Sequence, residues 1–69
     1  MTQKHYYQFD GIPCHVSTHN GGKTINAEGY FPGKGFLPVA VTDVLFHGEM
    51  MTEKEFKSFV VELRNSYRP

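Results

Sequence analysis

The sequence predicts an α+β two-layer domain, with an antiparallel sheet of three to four strands and one C-terminal amphipathic helix on one face (β-β-β-β-α). Three observations carry the prediction. Asp10-Gly11 separates two alternating runs. Asn20-Gly21-Gly22 precedes a third. Thr52 stands three residues before Glu55, ahead of apolar positions at helical spacing. At 69 residues the chain allows a single domain, residues 1–69.

Residues 5–18 read as a hairpin. Asp-Gly is a favoured two-residue type I′ turn, because both positions need positive φ. Taking it as the loop sets Phe9 opposite Ile12, Tyr7 opposite Cys14 and His5 opposite Val16. Tyr7, Phe9, Ile12, Cys14 and Val16 then share an apolar face. Tyr6, Gln8, Pro13, His15 and Ser17 share the other. Turn and alternation agree, which is what fixes a register.

The third strand runs from Lys23 to Phe31. With Asn20-Gly21 as a two-residue loop, Ile25 falls opposite Val16 and the apolar faces coincide. Proline donates no ladder bond, so the pairing of strands two and three should stop short of Pro13. Phe31-Pro32-Gly33-Lys34 fits a type II turn, with proline and glycine at its centre. Leu37 to Val41 alternates as a fourth strand. Val44-Leu45-Phe46 reads as its continuation past a bulge at Thr42-Asp43. A short helix from Val41 to His47, closed by Gly48, is the competing reading.

The C-terminal segment is an amphipathic helix over about 53–67. Thr52 and Glu55 form a capping box, with Met51 and Phe56 placed as a hydrophobic staple. Phe56, Phe59, Val60, Leu63 and Tyr67 make the apolar stripe. Glu53 and Glu55 suit the positive end of the helix dipole, and Arg64 and Arg68 the negative end. The stripe is expected to cover the apolar face of the sheet.

Composition narrows function. Seven basic and seven acidic side chains cancel, so any polyanion binding must rest on a local patch. One cysteine, Cys14, forms no intrachain disulfide. The sequence lacks a signal-peptide pattern and a run of about 20 apolar residues. The expectation is a soluble cytoplasmic protein with no membrane role.

Several motifs invite a site. From Gly29 the chain reads G-x-x-x-G-K-G, one residue short of a phosphate loop. It has no Ser or Thr after the lysine, and a β-like run follows in place of a helix. Tyr30, Lys34 and Phe36 could stack on a single-stranded nucleic acid. Cys14 and His15 are strand neighbours and point to opposite faces. His15 and His19 lie about 13 Å apart along an extended strand, too far for one ion. No cofactor, metal or catalytic residue is assigned. Cys14 falls on the buried face, where a thiol is an inert hydrophobe.

The expected function is binding without catalysis, as a regulatory module that meets a protein partner or a second copy of itself. A homodimer would form through strand edges or the tyrosine-bearing face. The candidate interaction surface is Tyr6, His15, Glu28, Tyr30, Lys34 and Phe36. Single-stranded nucleic-acid binding through the Tyr30–Phe36 loop is the first alternative, and a small metal-dependent enzyme the second.

Overall fold

The computed structural model describes residues 3–66. It is a small α+β domain built on one antiparallel sheet of five strands. The strands are β1 (Gln3–Phe9), β2 (Ile12–His19), β3 (Thr24–Phe31), β4 (Gly35–Pro38) and β5 (Glu49–Met51). Two helices, α1 (Val41–His47) and α2 (Glu53–Ser66), flank β5 in the chain. The order across the sheet is β4-β3-β2-β1-β5.

The first hairpin follows its turn. Asp10 and Gly11 both have positive φ, 55° and 78°. Phe9 pairs with Ile12, Tyr7 with Cys14 and His5 with Val16. The β2–β3 ladder ends at Cys14, one residue short of Pro13. Next to a two-residue loop the Phe9–Ile12 pair exchanges hydrogen bonds, so Pro13 turns its missing N–H toward β3.

The second connection keeps the expected faces and changes the register. Residues 20–22 form a 3-10 turn, and the Lys23 N–H donates to the Asn20 carbonyl at 3.3 Å. The loop is therefore longer than the expected two residues. Ala27, not Ile25, lies opposite Val16, and Ile25 faces Thr18. A shift of two residues preserves side-chain parity. The type II turn forms as read, with Lys34 N–H donating to the Phe31 carbonyl at 2.9 Å and Gly33 at φ 82°.

The expected strand continuation over residues 41–47 is overturned, and the competing helix is correct. Topology supplies the reason. β4 and β5 lie at opposite edges, four strand spacings apart, or about 19 Å. The chain between them must cross the sheet face, where no ladder is available. Its backbone groups must then bond among themselves. Val44 N–H donates to the Ala40 carbonyl at 3.2 Å and Gly48 N–H to the Val44 carbonyl at 2.8 Å. β5, which the sequence reading lacked, pairs with Tyr6–Gln8 of β1. Over those residues β1 is an interior strand and not the expected edge.

The core lies under α1. Cys14, Val16, Ala27 and Val44 are buried together, with Tyr7, Phe9, Ile12, Val39 and Val41 packed around them. Gly29 belongs to this layer. A Cβ there would meet Ile12 Cδ1 at 2.8 Å and Cys14 Sγ at 3.1 Å. Packing, not phosphate binding, accounts for this glycine.

The second helix corrects a further expectation. The stripe of α2 covers the face opposite α1. Its buried residue, Phe56, meets Tyr6 and His15. Tyr6 and His15 are adjacent in sequence to Tyr7 and Cys14 of the α1 core, so alternation puts them on the other face. The sheet is thus covered on both sides. The capping box forms: Thr52 N–H donates to Glu55 Oε1 at 2.9 Å, and Glu55 N–H to Thr52 Oγ1 at 3.1 Å. Tyr67 and Arg68 lie outside the described residues. Among the described residues, no helix is long and apolar enough to cross a membrane.

Candidate binding groove on the α2 face

Strand pairing assembles this face in rows. Tyr6, His15, Glu28 and Pro38 line up across β1 to β4. Lys4, Ser17 and Asn26 form the next row, and Tyr30 sits beside Phe36 on the far side. α2 lays Phe56 over the middle. Its ring centroid is 4.7 Å from Tyr6, 5.9 Å from His15 and 6.1 Å from Phe36, the last pair nearly parallel at 6°. Phe36 also meets His15 at 5.4 Å and Tyr30 at 5.3 Å, both steeply inclined. Such offset and edge contacts suit the ring quadrupoles and add about 0.5–1.5 kcal/mol per pair.

His15 is the polar member of this cluster. Its Nε2 lies 3.2 Å from Glu28 Oε1, with the histidine side chain 16% exposed and the glutamate 44%. Its Nδ1 is buried with no hydrogen-bond partner among the described residues. Burial lowers the His15 pKa and outweighs the opposing pull of Glu28. The neutral ring is therefore favoured near neutral pH. On the other face, burial raises the pKa of the Cys14 thiol, as expected for an inert buried cysteine.

Beyond Phe56 the helix stands off the sheet and leaves a groove of about 450 Å³. Tyr6, Phe36, Phe56, Val60 and Val61 supply its apolar wall, and His15 contributes to it. Lys4, Lys57 and Arg64 complete the lining. No carboxylate belongs to the described lining. Lys57 lies 3.8 Å from Glu53 across an exposed i,i+4 pair, which is weak in water. A second hollow of about 510 Å³ lies where β3 runs past the end of β4 and shares Lys4 and His15. It is more polar, holding Ser17, Asn26 and Glu28.

Of the six expected surface residues, Tyr6, His15 and Phe36 line the groove, and Glu28 and Tyr30 adjoin it through His15 and Phe36. Lys34 does neither. It is exposed in the β3–β4 turn, and the groove lining does not include it. Phe56, Val60, Val61, Lys4, Lys57 and Arg64 are additions. The signal for the helical ones is present in the sequence, since 57, 60, 61 and 64 form one row at i, i+3, i+4 and i+7. It points to this face only once α2 is known to lie there. Among the described residues, no group of three or more His, Cys, Asp or Glu side chains could hold a metal ion. In comparison with known proteins, no family model matches the chain, and no curated protein and no solved structure matches it.

Proposed function

We propose that this protein is a small binding module acting through protein–protein contact, and that the groove between α2 and the sheet is its recognition site. One observation carries the reading. An open apolar channel is bordered by three cations, while the chain as a whole is neutral. Such a site suits an apolar anchor side chain flanked by carboxylates. Aromatic rings already packed on one another give it a pre-formed wall, which lowers the ordering cost of binding. Phe36 and Val61 keep 43% and 46% of their surface exposed, so an anchor has apolar area left to cover.

The nucleic-acid reading has less support. Lys34 stands apart from the groove, and Phe36 already contacts three other rings, Phe56 among them as a parallel neighbour.

Selection from a displayed random-peptide library tests the proposal. The expected outcome is enrichment of peptides with an aromatic or aliphatic anchor beside Asp or Glu, whose binding Val61→Glu abolishes. Absence of enrichment, or binding indifferent to Val61→Glu, would contradict it.

A further inference from the structure

The groove has an apolar, basic character, and the same chain carries an exposed apolar surface beside a carboxylate. Phe46 is 81% exposed and Met50 72%, the two most exposed large apolar side chains among the described residues. Leu45 beside them is also exposed. Their positions follow from geometry. Val44 is buried, and Phe46 lies two residues, about 200°, further round α1, so it points to solvent. Asp43, three residues before Phe46, shares that outer side. Met50 pairs with Tyr7 on the α1 side of the sheet, at its β5 edge. Of the nearby carboxylates, Asp43 is the one on the α1 side: Glu49 pairs with Gln8 on the other face, and Glu53 and Glu55 begin α2. The groove lining holds Lys4, Lys57 and Arg64, net +3 with neutral His15.

We infer that the groove of one copy receives the Phe46–Met50 projection of a second copy. This rests on the groove being a protein-binding site and names its partner. Phe46 supplies the apolar anchor and Asp43 the adjacent carboxylate. The two surfaces lie on opposite faces of one sheet, so a chain cannot fill its own groove. Contact between copies is therefore head-to-tail. Head-to-tail contacts close into a ring or continue as an open chain. The attraction is local, between Asp43 and the cations of the groove, and weakens with added salt.

Sedimentation of the full chain from about 10 μM to about 1 mM, a range that captures weak contacts, tests the inference. The wild type should grow past two copies with concentration, and less so in high salt. Phe46→Asp removes the projection and Val61→Glu blocks the groove. Both positions are exposed, so circular dichroism of each variant should match the wild type. Met50→Asp serves as a second projection variant. Each variant alone should remain a single chain. An equal mixture of Phe46→Asp and Val61→Glu should form one-to-one pairs and nothing larger, because one intact groove and one intact projection remain. A wild type that stays monomeric, variants that associate as the wild type does, or a mixture that does not pair would overturn the inference. If the wild type stays monomeric while selected peptides still bind, the groove reading survives and only the identity of its occupant fails.

Discussion

The two faces of the sheet differ in how they are closed. On the α1 face, small side chains and one short helix make a dry layer: Cys14 and Val44 are fully buried, and Val16 and Ala27 nearly so. On the α2 face, Phe56 alone of the helix is buried, and rings, a histidine and cations fill the rest. A longer helix thus covers its face less completely. The difference lies in side-chain size. Small residues let α1 sit close, as the tight space at Gly29 shows. Tyr6, His15 and Phe36 hold α2 away and leave a groove beside it. The dry core lies on the α1 face and the open groove on the α2 face.

The strongest way to break this contrast is Val44→Asp. A carboxylate placed at the centre of the dry layer has no partner there, and the cost should exceed about 4 kcal/mol. That approaches the whole stability of a small domain. Circular dichroism should show an unfolded or grossly destabilised chain. Survival of a cooperative melt would mean that the α1 face is not the core.

Phe56→Ala should cost less, about 3 kcal/mol, the low end for loss of a buried ring. Its site opens into the groove, so water and neighbouring rings relieve part of the cavity. Urea denaturation gives the number. A loss equal to that of Val44→Asp would erase the proposed difference between the faces.

His15 sharpens the contrast through pH. Burial holds its folded-state pKa below the ordinary value of about 6.5. Between the folded value and about 6.5 the unfolded chain takes up a proton that the folded chain refuses. Stability contributed by the neutral ring is therefore complete above about 6.5 and falls as pH drops through that window. Glu55 acts at lower pH, because the Thr52 N–H holds its carboxyl below the usual carboxylate range. Melts recorded between about pH 5 and pH 8 stay clear of that second effect. His15→Phe should flatten the slope in this range. An unchanged slope would assign it to other groups.

The smallest effect belongs to the projection. Phe46→Ser should change stability by less than about 0.5 kcal/mol, since the ring is mostly in water. A larger loss in a dilute melt would place Phe46 in the folding core instead of on a docking surface.

How far the sequence was legible depends on whether an element answers to local chemistry or to topology. Asp10-Gly11 and the alternation around it set the first hairpin to the residue. The Thr52–Glu55 capping box set the start of α2 equally well. At Asn20-Gly21-Gly22 local chemistry offered two loops of the same parity, so the faces were readable and the register was not. Val41–His47 is rich in β-branched and aromatic residues and reads as a strand. Only the need to cross the sheet from β4 to β5 makes it a helix. β5 has three residues, too few for a period. Helical spacing defined the α2 stripe without saying which face it meets, because Tyr6, Pro13 and Phe36 make the nominally polar face apolar enough to receive it. Tyr6, His15 and Phe36 on the sheet were therefore legible from alternation, while Lys4 at the start of β1 and the residues of the helix were not. Lys34, chosen for its neighbours in sequence, was carried away from them by the turn that Gly33 permits.

The central claim is that the groove on the α2 face of one copy receives the Phe46–Met50 projection on the α1 side of another. Backbone amide shifts of the labelled wild type, followed on dilution from about 1 mM to about 10 μM, test it most directly. Movement is expected at Tyr6, Phe36, Val60 and Val61 and at Phe46 and Met50, with Cys14, Val16 and Ala27 still. Movement confined to β4 and β5, with Phe46, Val60 and Val61 still, would indicate strand-edge pairing and contradict it, as would a spectrum that does not change.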